Sequence, residues 1–165
     1  MSVVLGSGKY TVRQMTNIQI MQEITNTTNS PHVNPVVRVL IADDHPHVVK
    51  MLKRMLSRME LPLEIQTASS ATEAVEQITK NPVRLLITDF RMPDMSGLDL
   101  IKRLDDDVMP EHIILITAYD SPGLKLAAQD LGVDDYVVKP FDPKDFRDVV
   151  LLAVKALQGT NLKPN

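Results

Sequence analysis

Five times over, this chain alternates a short apolar run with a stretch of helical period. The runs lie at 36–42, 63–68, 83–88, 112–118 and 135–139, all too short for helices and of a length usual for strands. The stretches between them carry helix punctuation. Pro46 suits a first helical turn, and Val48, Leu52, Met55 and Met59 follow at helix spacing, with Val49 and Leu56 alongside, before Pro62 closes the segment. Ser70-Ala-Thr-Glu73 reads as a capping box opening a helix that ends near Asn81-Pro82. Ser96 stands before Leu98, Ile101 and Leu104; Ser121-Pro122 opens a helix that ends at Gly132; Asp142-Pro143 opens a last one through about Leu157. Such regular alternation leaves few folds, since parallel strands joined by right-handed helical crossovers must be covered by helices on both faces.

The expected fold is therefore a doubly wound, five-stranded parallel sheet; if its order is 2-1-3-4-5, the topology is flavodoxin-like (βα)5 and the first and third strands flank the switch point. Ligands of such sheets bind at the carboxyl ends of the strands, where the strand order reverses. Here those ends are polar: Asp43-Asp44 after the first strand, Asp89 after the third, Thr117 after the fourth and Lys139-Pro140 after the fifth. In this order the three carboxylates face one another across a crevice. Two carboxylates about 4 Å apart repel by roughly 4 kcal/mol at an effective dielectric near 20. Relief must come from protonation, from Lys139 or from a bound cation. Oxygen donors in an acidic site suit Mg²⁺.

Taken singly, each residue has a plainer reading. Asp43-Asp44 could only cap a helix, Thr117 could end a strand, Tyr136 could be a half-buried aromatic, and Lys139 could be a solvated lysine. Met55 and Met59 read as core, whereas Met51 falls off the apolar stripe and is expected to be exposed. His45 and His47 read as loop or helix-start residues rather than ligands.

The 165 residues hold one domain, at 36–158, with an extension at 1–35 and a tail at 159–165. The extension is rich in Asn, Thr and Gln, and only Val12, Met15, Ile18, Met21 and Ile24 recur every third residue. It reads as mobile or partly helical. A net charge of -3 gives no case for direct nucleic-acid binding. The start lacks the pattern of a signal peptide, no apolar run reaches membrane-spanning length, and there is no cysteine, so a cytoplasmic protein is expected.

Asp43-Asp44, the run from Asp89 through Met92-Pro93 to Gly97, Thr117-Ala118 and Tyr136-Val-Val-Lys139-Pro140-Phe141 together resemble the receiver domain of two-component response regulators. The resemblance covers about 36–157, in order. It implies that Asp89 accepts a phosphoryl group from a sensor histidine kinase or histidine phosphotransfer protein. It implies that Asp43, Asp44, Asp89 and the backbone carbonyl of Arg91 hold Mg²⁺. Thr117 and Lys139 would bind phosphoryl oxygens, Lys139-Pro140 would be a cis peptide, and Tyr136 would be an aromatic switch coupled to Thr117. Arg91 and Tyr119, two past the acceptor and two past the threonine, would tune dephosphorylation. Neither supplies a small amide or an acid to position water, so slow self-dephosphorylation is expected. The chain would be no enzyme beyond its own phosphorylation and dephosphorylation. A homodimer through the fourth helix, fifth strand and fifth helix fits the resemblance, and no membrane contact is expected.

Two other functions fit the same topology. A flavin carrier would want a Ser/Thr/Gly-rich phosphate loop after the first strand, where Asp43-Asp44-His-Pro would repel phosphate. An aspartate-nucleophile phosphatase would want a second Asp where Arg91 stands. Within the favoured class, the chain is either a stand-alone relay or the receiver piece of a longer DNA-binding regulator.

Overall fold

The structure, a computed structural model, describes residues 35–160; all but the last residue of the extension expected at 1–35 and most of the expected tail lie outside them. Five strands form one parallel sheet of order β2-β1-β3-β4-β5. They are β1 (Val37–Ala42), β2 (Leu63–Ala68), β3 (Leu85–Asp89), β4 (His112–Thr117) and β5 (Asp135–Val138). Between and after them run α1 (Pro46–Leu56), α2 (Ala71–Lys80), α3 (Gly97–Lys102), α4 (Pro122–Asp130) and α5 (Pro143–Thr160). The order is the expected one.

Strand parity divides the core in two. Leu40 and Ala42 of β1, Leu86 of β3, and Ile113 and Leu115 of β4 pack with Ala74 and Ile78 of α2, Leu98 and Ile101 of α3 and Ala128 of α4. On the opposite face Val39, Ile41, Leu85, Ile87, Ile114 and Ile116 pack with Leu52 and Leu56 of α1 and with Phe146, Val150 and Val154 of α5. Every residue of β3 is buried, as the apolar run Leu85-Leu86-Ile87 requires and with the polar Thr88 and Asp89 included. A one-residue slip would exchange the two faces of a strand, so packing fixes the register, with Ala42 beside Thr88 and Asp89 beside Ile116.

Several boundaries differ from those expected. β3 begins later than 83 and includes Asp89 as its last residue. α3 ends at Lys102, and a 3₁₀ turn, Asp106–Val108, follows. The Asp105-Asp106-Asp107 run explains the stop, because negative charge opposes the dipole at a helix C-terminus. α5 continues past Leu157 to Thr160. Leu157 is buried on the α1/α5 face, and its carbonyl accepts a 2.7 Å bond from Arg84 Nη2, which ties this turn to the start of β3. Only half of the capping box at α2 forms as expected: Ser70 Oγ accepts from Glu73 N at 3.1 Å. The Glu73 carboxylate turns instead to Ser69, taking its N–H at 2.7 Å and its hydroxyl at 2.8 Å. Gly132, with φ +76, ends α4 as expected, and Val133 N reaches back to Ala128 O at 3.0 Å. Among the described residues, no helix is long and apolar enough to cross a membrane.

Candidate functional site

Buried polar side chains are more informative than buried apolar ones. Four are recorded among the described residues: Asp43, Thr88, Asp89 and Thr117. All stand at or just past the carboxyl ends of β1, β3 and β4. The register accounts for their meeting. Ala42 pairs with Thr88, so the next residues, Asp43 and Asp89, leave the sheet side by side. Thr117 pairs with Val138, which brings Lys139 off β5 toward the same end, where its N–H donates to Thr117 O at 2.7 Å.

Lys139 Nζ donates to Asp89 Oδ1 at 2.6 Å and to Asp43 Oδ2 at 3.2 Å. Burial alone would lower its pKa. The bond to Asp89 and the charges of Asp43 and Asp89 outweigh that effect and raise it, so the ammonium persists. One cation thus bridges two nearly buried carboxylates, an arrangement strongly destabilised by removal of either sign of charge. The other oxygen of Asp89, Oδ2, accepts the N–H of Arg91 at 2.7 Å. Each carboxylate oxygen keeps a further lone pair, so the orientation is fixed without exhausting its capacity to react. The Lys139–Pro140 peptide is cis.

Asp44 lies apart from Lys139 and keeps company with His45. The ring Nδ1 of His45 is 3.1 Å from an oxygen of Asp43 and 3.1 Å from Asp44 Oδ1, and Asp43 Oδ1 also accepts the His45 N–H at 2.8 Å. The bond to Asp43, then the charges of Asp44 and Asp43, raise the imidazole pKa against smaller opposition from burial and Lys139. Asp44 Oδ1 is itself buried and accepts no hydrogen bond, although His45 Nδ1 lies 3.1 Å from it. An orphaned carboxylate oxygen beside a second carboxylate is a donor set suited to a hard divalent cation such as Mg²⁺. Asp43, Asp44 and His45 each offer an atom within 4.8 Å of the others. His45, read from the sequence as a bystander, therefore belongs to this acidic corner.

The β3–α3 loop closes tightly around Asp89. Arg91 forms an isolated bridge with Ser96, and Gly97 N donates to Phe90 O at 2.8 Å. A side chain at Gly97 would collide with the backbone oxygen of Asp89, so only glycine allows this approach.

A second network lies on the β4 side. Thr117 Oγ1 accepts Tyr119 N at 3.0 Å, and the Tyr136 hydroxyl donates to Tyr119 O at 2.6 Å. Burial, and then the charge of Asp120, raise the pKa of the Tyr136 phenol. The Arg91 guanidinium lies over the Tyr119 ring, 4.4 Å from its centre, so this pair joins the loops that leave β3 and β4. The geometry thus gathers Asp43, Asp89 and Lys139 directly, links Asp44 to them through His45, and sets Thr117, Tyr119, Tyr136 and Arg91 along one flank.

Residues 39–151 match the response regulator receiver domain family, and the chain belongs to it. Chemotaxis protein CheY1 of Helicobacter pylori is 32% identical over 128 residues, which cover 76% of this chain and 99% of that protein. Response regulator protein PilR of Pseudomonas aeruginosa is 34% identical over 118 residues, covering 72% of this chain but 26% of that protein, so this chain spans about a quarter of PilR's length. The crystal structure of a CheY-like receiver domain protein from Methanospirillum hungatei superimposes with a TM-score of 0.67 at 25% identity, covering 77% of this chain and 99% of that one.

Proposed function

We propose that this chain is a phosphorylation-activated signalling switch in which Asp89 accepts a phosphoryl group from a histidine kinase or histidine phosphotransfer protein. The observation that carries the reading is the nearly buried Asp89 carboxylate, held at 2.6 Å by a lysine that also binds a second buried carboxylate. An Asp89 oxygen attacks phosphorus, and the bond from phosphorus to the donor's imidazole nitrogen breaks. The Lys139 ammonium turns from the carboxylates to the incoming phosphoryl oxygens, where charge accumulates. Neutralisation of the remaining charge is what Mg²⁺ supplies when bound by Asp43, Asp44, Asp89 and the Arg91 carbonyl. Outside this self-directed chemistry we assign no enzymatic activity.

The new charge competes for the Thr117 hydroxyl, which now serves Tyr119 N. Its movement shifts the loop to which Tyr136 is bonded, and so carries the signal toward α4 and β5. We assign phosphorylation-dependent homodimer formation to the α4–β5–α5 face, where α4 buries only Ala128 and Leu126 is exposed.

The donor's docking face is a groove of about 680 Å³ along α1 and the start of α5. Met51 and Met55 line it, and its charged lining, Lys50, Arg54, Arg58 and Arg147, is entirely basic. Lys50 also lines the neighbouring cavity that reaches Asp43 and Asp44. An acidic, amphipathic helix on the donor complements this surface in both charge and polarity. The function is tested by intact-mass measurement after incubation with acetyl phosphate and Mg²⁺. Gain of one phosphoryl group, abolished by EDTA, is expected; no gain, or a gain indifferent to EDTA, contradicts the reading.

A further inference from the structure

The first turn of a helix leaves backbone N–H groups without partners. In α2 the N–H groups of Ala71 and Thr72 are taken by a residue more than twenty positions away. Asp94 Oδ1 accepts Ala71 N at 3.2 Å, and Asp94 Oδ2 accepts Thr72 N at 2.7 Å and the Thr72 hydroxyl at 2.8 Å. With Ser70 taking Glu73 N, this foreign carboxylate supplies what the helix's own cap lacks. Burial works against the ionised form, but the bonds from Thr72 and Ala71 prevail and hold the Asp94 carboxyl at about 2. The helix dipole favours the same anion.

Asp94 sits at the outer part of the loop between β3 and α3. The inner part is already fixed, by Arg91 N on Asp89 Oδ2 and by Gly97 N on Phe90 O. The three bonds to α2 restrain the loop at a separate point, and α2 is anchored in the core through Ala71, Ala74 and Ile78. Arg91, whose side chain stacks on Tyr119, lies on the segment between these restraints.

We propose that Asp94 is a positioning residue for the phosphoryl-accepting site, clamping the β3–α3 loop to the first turn of α2 so that the Arg91 backbone is held ready for the divalent cation. This rests on the function proposed above, and its effect is on cation affinity. Residues that orient metal ligands from outside commonly change affinity 10- to 100-fold when removed.

The test uses the full chain, with Mg²⁺ binding measured by calorimetry and backbone amide exchange followed over residues 90–97. Asp94→Ala is expected to weaken Mg²⁺ binding about tenfold and to speed exchange in 90–97 while leaving β4 protected. Asp94→Asn, which retains one acceptor oxygen, is expected to fall between Asp94→Ala and wild type, and Thr72→Val, which loses only the hydroxyl bond, to lie nearer wild type. Phosphorylation by acetyl phosphate at saturating Mg²⁺ should stay within about twofold of wild type, so the defect is one of affinity rather than of maximal rate. Unchanged Mg²⁺ affinity in Asp94→Ala, with a lower melting temperature, overturns the proposal and leaves Asp94 a helix cap alone. Absence of Mg²⁺ binding and phosphorylation in wild type overturns it together with the function on which it rests.

Discussion

The Arg91–Tyr119 stack joins the two loops beside Asp89, and breaking it should shorten the life of the phosphorylated state. Hydrolysis needs a water in line with phosphorus, opposite the bond to Asp89. Arg91 and Tyr119 follow the acceptor and Thr117 by two residues each, and the guanidinium lies 4.4 Å from the ring centre. Tyr119 is 44% exposed, so the contact belongs to the weakly desolvated class worth about 0.5–1 kcal/mol. That energy corresponds to a two- to fivefold preference for the closed arrangement. Arg91→Ala and Tyr119→Ala should therefore each speed decay about two- to fivefold, and the double variant should do little more, because both remove the same contact. In the unphosphorylated protein the Tyr119 backbone is bonded to Thr117 and Tyr136 through atoms that none of these substitutions removes. The assay is the decay of phosphorylated protein, by intact mass, after the donor is removed. Wild type should decay slowly, and Arg91→Asn with Tyr119→Glu, which adds groups able to orient water, should decay faster than either alanine variant. Equal rates in all, or single effects that multiply fully in the double variant, would refute a shared lid.

Further outcomes follow from the same geometry. Gly97→Ala sets a methyl against the Asp89 carbonyl, a backbone atom that cannot swing away, and should cost about 2–3 kcal/mol in urea denaturation; a loss under about 0.5 kcal/mol would show that the loop yields. Because the Asp94 carboxyl is held at about 2, its contribution to stability is present above its unfolded value near 4 and is lost as pH falls from there toward 2; Asp94→Asn should flatten acid unfolding in that window, and an unchanged slope would contradict the clamp. Arg54→Glu with Arg58→Glu should slow phosphotransfer from a histidine-phosphorylated protein at least tenfold while leaving transfer from acetyl phosphate unchanged; equal loss with both donors would place the defect in the site rather than in docking.

The doubly wound parallel sheet was legible from the alternation, and the meeting of Asp43, Asp89 and Lys139 from where each apolar run stops once the order 2-1-3-4-5 is taken. Three features were not. His45 joins Asp43 and Asp44 because the chain turns back between β1 and α1, with Asp43 Oδ1 accepting the His45 N–H, a local bend that residue types alone leave open. Asp94 meets Thr72 across 22 positions, a contact that exists only once α2 has packed beside the loop. Thr88 reads as one more strand residue, although it is buried and its hydroxyl donates to the Asp89 carbonyl at 3.1 Å. The apolar period through Leu104 promised a longer α3, and the acidic run after it won. The exposure of Met51, 44%, was legible from its place off the α1 stripe.

The most direct test of the central claim is site-resolved mass spectrometry of the protein after acetyl phosphate and Mg²⁺, with Asp89→Asn as the comparison. Asp89 is nearly buried, lies 2.6 Å from the Lys139 ammonium and ends the central strand, whereas the nearest competing carboxylates, Asp43 and Asp44, are engaged with His45 and suited to a cation. The account predicts one phosphoryl group, on the peptide containing Asp89, and none on Asp89→Asn. A full mass gain in Asp89→Asn, or a phosphoryl group mapped to Asp43 or Asp44 in wild type, would contradict it.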